Sequence, residues 1–497
     1  MAEEAKQTQA AAATTVEAEG VLDQIIRVTR IGKDDWERDQ SRRQIATLVD
    51  EVMKGQLRVS KDLEATISAR ITDIDRLLSD QLNVIMHAPE FQKLEGSWRG
   101  LHYLVTQSET SVMLKLRVLN VSKQELVKDL DRPEFDQSAL WKWVYDVEYE
   151  TFGGTPYGAL IGDYEFGRNP RDIGLLEKIS NVAACAHAPF LSAADPSLLG
   201  LESFTDLPNP KDLAKKMDTP DYAKWNSFRA SEDSRYVALA LPHMLMRLPY
   251  GPDTAPTEDF IFKEDVAGTG PSKYLWGNAA YAMATRLTAS FAKYGWCSTI
   301  RGVENGGKVE GLPTHTFLTD AGEIAMTCPT EIAITEKRER ESSDLGFMPP
   351  VHCNGTACTA FSAAQSCQKA MKYGTDAANA HARLSTQMQY LLAVSRFAHY
   401  LIVIIREQMG SNMTRRECED FLNRWISMYV VGDPDARDEL KAKFPLSEAR
   451  VEVAEVPGKA GGYYRAVCFL RPHFQLEERT IALRLVADLP MPYRHQR

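Results

Sequence analysis

Apolar residues first fall into a regular order after Lys61, where Leu63, Ile67, Ile71, Ile74, Leu78, Leu82 and Ile85 recur in steps of three and four. That spacing gathers them on one stripe of a single long helix. After Pro89 the pattern resumes with Phe91, Leu94, Trp98 and Leu101, which predicts a second helix. The period then shortens: Val112, Leu114, Leu116 and Val118 alternate against Lys115 and Arg117, as in a half-buried strand. Ser122 and Glu125 stand at capping-box spacing ahead of Leu126 and Leu130, so a capped helix is expected straight after that strand.

Strand and helix go on alternating through YGALIGDY, the helical DIGLLEKISNVAACA, RYVALALP and the GWCSTIRG run. Solid apolar runs of this kind predict strands buried on both faces, so the middle of the chain reads as α/β. Two long helices are expected from Arg383 to Asn412 and from Thr414 to Val431, packed against the sheet. The character changes at the end, where RVEVAEV, the turn PGKAGG, YYRAVCFLRP and TIALRLVADLP predict a small β module. Its last strand sets Ile481, Leu483 and Leu485 on one face and Ala482, Arg484 and Val486 on the other. Such a strand can pair within its own module or add to a neighbour's sheet edge.

The first twenty residues, MAEEAKQTQAAAATTVEAEG, hold almost nothing to bury, so residues 1–20 are expected to be disordered. With Glu3, Glu4, Glu17 and Glu19 they also lack the basic start and apolar stretch of a signal peptide, which points to the cytoplasm. Leu22, Ile25 and Ile26 then share one face of a short amphipathic helix on this flexible leash. The longest apolar neighbourhood, Tyr390 to Ile405, is interrupted by Arg396 and His399 and falls short of the roughly 20 residues of a spanning helix. It reads as a buried core helix. The expected layout is a tail (1–20), an N-terminal helical segment (21–60), a core of mixed sheets flanked by helices (61–430) and a C-terminal β module (431–497).

A chain of 497 residues with 44% hydrophobic content can bury sizeable cores. Its net charge of −10 argues against a protein whose main work is neutralising phosphates. The eight cysteines are scattered and read as reduced core residues. Candidate chemistry fails one motif at a time. GTGPSK, from Gly268 to Lys273, lacks the second glycine of a phosphate-binding loop. His352, Cys353, Cys358 and Cys367 approach metal-ligand spacing but include no C-x-x-C pair. Cys185 and His187 stand two apart, a separation that does not bring helical side chains face to face. Asp163, Glu165, Arg168, Arg171 and Asp172 mix charges in the manner of a salt-bridge network or an interface rim. No G-x-S-x-G, H-E-x-x-H or dinucleotide fingerprint occurs, so neither catalysis nor a metal or cofactor is expected.

Several long strings resemble the large sheath subunit of type VI secretion systems, the TssC or VipB family. They include FQKLEGSWRGLHYLV (Phe91 to Val105), FGGTPYGALIGDYEF (Phe152 to Phe166), SEDSRYVALALP (Ser231 to Pro242) and YGWCSTIRGVENGGKVEGLPTHTF (Tyr294 to Phe317). TEIAITEKRERE (Thr330 to Glu341), SRFAHYL (Ser395 to Leu401) and LRPHFQLEERTIALRLVADLP (Leu470 to Pro490) extend the likeness to the C-terminus. The resemblance implies a contractile-tail-sheath-like core and a heterodimer with a small sheath subunit, TssB- or VipA-like. It further implies copies of itself in a helical lattice around an inner tube of hexameric rings, baseplate components, and recycling by a ClpV-like AAA+ unfoldase. Leu22, Ile25 and Ile26 then become the candidate face for the unfoldase. Ile481, Leu483, Arg484, Leu485 and Val486 become the candidate inter-subunit strand. The rivals are an α/β enzyme and the one-subunit sheath of a contractile phage tail or injection particle.

Overall fold

The computed structural model describes residues 35–54, 63–132, 134–151, 153–210, 212–256, 260, 262–266, 273–318, 324–352, 358–408, 414–433, 435–455, 464–473 and 483–488. The chain divides into two compact units, residues 1–84 with 251–264 and residues 85–250 with 265–497. The first unit holds α1 (Asp35–Met53), a polar helix carrying ion pairs such as Arg43 with Asp39 one turn apart. The long helix expected after Lys61 is present as α2 (Leu63–Met86), and Ile67, Ile71, Ile74 and Leu78 of its stripe are exposed.

In the second unit, α3 (Pro89–Thr106) opens with proline at its first helical position behind Ala88 in extended conformation. Proline is suited there, because its missing N–H has no intrahelical partner to lose. The buried positions of α3 are Gly96, Gly100 and Leu104. A Cβ on Gly100 would lie 2.4 Å from ring carbons of Tyr281, so only glycine lets the helix come this close.

The strand expected over Val112–Val118 does not form. The alternation survives in part, with Leu114 buried and Leu116 half-buried between the exposed Lys115 and Arg117. Val112 and Val118 stay exposed, and the segment pairs with no described strand. The capped helix is as expected: α4 (Lys123–Leu130) carries both bonds of the capping box, Glu125 N–H to Ser122 Oγ at 3.3 Å and Ser122 N–H to Glu125 Oε2 at 2.8 Å. A π-helical stretch over Lys142–Glu150 follows. Its wide turn brings side chains four apart into line, and Trp141, Tyr145 and Tyr149 stack at 4.4 and 4.8 Å.

The centre is a parallel four-stranded sheet in the order β1 (Leu160–Phe166), β2 (Phe190–Ala194), β3 (Val237–Ala240), β4 (Phe347–Met348). α5 (Pro170–Cys185) covers one face and α6 (Ala280–Tyr294) the other. Residues of β3 therefore alternate between two cores. Val237 and Leu239 pack with Leu176 and Ile179 of α5, whereas Ala238 and Ala240 pack with Ala280 and Met283 of α6. This explains a strand that is apolar at every position.

GWCSTIRG is not a strand. Gly295 and Gly302 both adopt left-handed φ of 77°, the first of them ending α6, and such backbone cannot continue a ladder. The apolar residues between them serve different cores, Ile300 that of α6 and Trp296 a third one near the C-terminus. That third core is built by α7 (Met388–Gln408), α8 (Arg415–Ser427) and the strands β5 (Leu446–Glu455) and β6 (Tyr464–Pro472) of an antiparallel sheet whose third strand is β7 (Leu483–Asp488). Trp296 stacks on Phe397 at 4.4 Å within it. α7 has 21 residues, within the helix expected from Arg383 to Asn412, and is long and apolar enough to cross a membrane, which the run Tyr390 to Ile405 was not expected to be. It is nonetheless a core helix, since 67% of its most apolar window is buried, Arg396 lies over the Tyr400 ring at 4.8 Å, and His399 is buried.

Candidate assembly interface

The C-terminal sheet has β6 at its centre, with β5 and β7 paired to it on either side. The β6–β7 register sets Leu485 opposite Cys468, Leu483 opposite Leu470, Arg484 opposite Phe469 and Val486 opposite Val467. Cys468 and Leu470, the register partners of Leu485 and Leu483, are buried. Ile481 lies outside the described residues, as do Leu22, Ile25 and Ile26.

The two edges of this sheet differ. Along the outer edge of β5, Asn423 of α8 donates from Nδ2 to the Val451 carbonyl at 2.7 Å and accepts the Val451 N–H on Oδ1 at 2.9 Å. Two residues on, Glu419 accepts the Val453 N–H at 3.2 Å and Arg415 donates to the Val453 carbonyl at 2.9 Å. These side chains take the place of a neighbouring strand and close that edge. Among the described residues no strand or side chain does the same along the far edge of β7. The closing residues were missed in the sequence, although Arg415, Glu419 and Asn423 recur every four residues on one face of a helix with a capping box at Thr414 and Glu417. That polar stripe, next to a buried stripe containing Leu422 and Ile426, was the available signal.

Most of the candidate chemical groups among the described residues are engaged in packing or in pairing. His187 sits at φ 49° with Nδ1 3.3 Å from the Tyr236 hydroxyl, and burial pushes its pKa down to about 4. Burial raises the Cys185 thiol, so this pair supplies neither a thiolate nor a base at neutral pH. Burial raises the Asp163 carboxyl, opposed by the nearby Ser97, Tyr281 and Asn278 side chains. Its neighbours find partners elsewhere: Glu165 meets His243 at 3.1 Å, Arg168 meets Asp221 at 3.9 Å, and Asp172 meets Lys123 at 2.8 Å. His243 also meets Glu331 at 2.6 Å; burial works against its charge, but the two carboxylates outweigh burial and push it up to about 10. Cys367 is buried with its thiol raised to about 12, and Cys353 lies outside the described residues. Among the described residues no group of histidine, cysteine and carboxylate side chains could hold a metal ion. Lys273 of the GTGPSK loop pairs with Asp265 at 2.6 Å, and Gly268 lies outside the described residues.

A sheet with one stopped edge and apolar helix faces turned outward defines a protein built to join others, and the comparisons say which kind. Residues 68–368 match the tail sheath N-terminal domain of VipB, and residues 377–489 match the VipB tail sheath gpW/gp25-like domain. Over 494 residues, 99% of each chain, the sequence is 46% identical to the type VI secretion system sheath protein TssC1 of Pseudomonas aeruginosa. A sheath tail protein of known structure from Desulfitobacterium hafniense shares 11% identity over 64% of this chain and 60% of its own, with a TM-score of 0.28 that carries no argument. The chain belongs to the VipB family of type VI secretion sheath proteins, with the mixed α/β architecture expected from its sequence, and is a structural sheath subunit.

Proposed function

We propose that this chain is the large subunit of a two-component contractile sheath. It pairs with a small subunit, stacks helically around an inner tube of hexameric rings above a baseplate, and contracts to drive that tube outward. Residues 1–20 are a tail, residues 21–60 carry the helix whose Leu22, Ile25 and Ile26 an AAA+ unfoldase grips after contraction, residues 61–430 are the core, and residues 431–497 form the exchange module. The energy of the stroke resides in the extended lattice, and ATP is spent by the unfoldase alone.

The observation that supports this reading best is the unequal pair of edges in the C-terminal sheet. With β5 closed by Asn423, Glu419 and Arg415, and no described strand or side chain along the far edge of β7, that far edge is the side assigned to a strand joining from another subunit. Links made through main-chain hydrogen bonds can persist while the surrounding side-chain contacts rearrange. Electron microscopy of the chain expressed alone and with its small partner tests the reading. Hollow tubes on co-expression only are expected, and tubes from the chain alone would favour a one-subunit sheath. Deleting residues 480–497 should leave soluble subunits and no tubes. Charged substitutions at Ile25 and Ile26 should leave assembly intact and block unfoldase-driven disassembly. Unchanged disassembly would remove those residues from the site.

A further inference from the structure

α3 is packed the wrong way round for a helix that serves only its own chain. Gly96 and Gly100 face the body, the first 3.1 Å (from a Cβ placed there) from the Trp276 carbonyl and the second against the Tyr281 ring. The opposite face carries Phe91, Leu94, Trp98, Leu101 and Val105, in steps of three and four. Trp98 is 65% exposed, Leu94 57% and Val105 46%. Beyond α3 the apolar surface continues on the segment that failed to become a strand, where Val112 is 84% and Val118 69% exposed. The two parts join where Leu101 and Leu116 pack into one cluster with Leu104, Tyr281 and Ala284.

The main chain adds an independent observation. Residues 115–120 make no main-chain hydrogen bond to any described residue, although their side chains hold the segment down, Arg117 through Glu148, Tyr157 and Thr155. A run of unpaired amides bordered by apolar side chains is completed by another main chain. A helical stripe with three-four spacing is completed by a second helix crossing at a shallow angle.

We infer that α3 and residues 111–120 form the seat of the small sheath subunit, which supplies one amphipathic helix along the α3 stripe and one strand along residues 115–120. This rests on the two-component reading above. The size of the face supports a partner. At areas on the order of 200 Å² per aromatic side chain, Phe91 and Trp98 alone leave roughly 200 Å² open, and Leu94, Val105, Val112 and Val118 extend the face. Together they reach the size of the largest apolar patch of a typical monomer, about 300–600 Å² and often functional. The glycine contacts hold α3 tightly to the body, so the seat is in place before its partner arrives.

The test is co-purification and titration of the small subunit against the wild-type chain, Leu94→Glu/Trp98→Glu and Val118→Pro. The wild type should bind, the double variant should bind on the order of 100-fold more weakly or worse, and Val118→Pro about 10-fold more weakly through its lost N–H. Both variants should melt within about 2 °C of the wild type, because the altered side chains are exposed in the single chain. Variants that bind and form tubes like the wild type would sink the inference while leaving the two-component reading standing. A wild-type chain that ignores the small subunit would remove that reading, and the inference with it. Variants that melt early would show the face covered by the chain's own residues. Self-association of the wild-type chain that the double variant abolishes would assign the face to a second copy. Either result overturns the assignment.

Discussion

α3 and α5 begin alike and end up opposite. Each opens with a proline at its first turn and carries apolar residues at helical spacing. α5 buries Ile173, Leu176, Ile179 and Val182 against the parallel sheet, whereas α3 buries two glycines and shows Leu94 and Trp98 to solvent. Periodicity thus fixes that a helix forms and which of its faces is apolar. Which way the face points is decided by the neighbour, and α3 has none within the described chain that would fit its large side chains. α5 is an element of folding, and α3 is an element of assembly.

The contrast can be broken by substitution. Leu176→Ala in α5, at a fully buried position, should cost about 2–5 kcal/mol in denaturant unfolding. A cost below about 1 kcal/mol would mean that α5 is not the keystone described. Acid should act on the same side of the molecule. His187, just beyond α5, and His399 of α7 are held neutral by burial, at about 4 and about 3. Both are depressed below the usual 6.5, so the stability that depends on their neutrality is full above pH 6.5 and is lost as pH falls through about 4 and about 3. The loss approaches about 1.4 kcal/mol per pH unit for each group. His187→Phe/His399→Phe should flatten that slope, and an unchanged slope would place the acid sensitivity elsewhere.

Gly100→Val should destabilise the chain by about 1–3 kcal/mol, since the new side chain meets the Tyr281 ring, while Gly158→Ala, with nothing within 4 Å, serves as the control. Equal effects at the two sites would mean that α3 is not held through its glycine face. The smallest effect is expected at Leu94→Ser, within about 0.5 kcal/mol of wild type in thermal unfolding. A loss there comparable to that of Leu176→Ala would erase the distinction between the two helices.

Much of this fold was legible in the sequence because local rules and tertiary context agreed. The α4 capping box, the doubly buried β3 and the C-terminal hairpin module all formed where turn chemistry and periodicity placed them. Two runs misled for different reasons. GWCSTIRG is apolar because it feeds two cores across two left-handed glycines, and composition alone does not separate that from a strand. Val112–Val118 carries the alternation of a strand but pairs with no described strand, and a strand needs a partner to exist. The register sets Leu483 and Leu485 of β7 opposite Leu470 and Cys468. The stopping of the β5 edge was hidden, because an asparagine on a helix looks like ordinary solvent-facing polarity until the strand it touches is known.

That asparagine has a wider consequence. A sheet that accepts strands along both margins can branch or grow into a fibre, and one that accepts them along neither is inert. By plugging one margin, Asn423 and its two neighbours leave the module, on the strand-exchange reading proposed above, a valence of one. Subunits joined in that proposed way would make connections that all run in the same sense, like links of a chain with one hook and one eye, with the order of assembly written into each monomer.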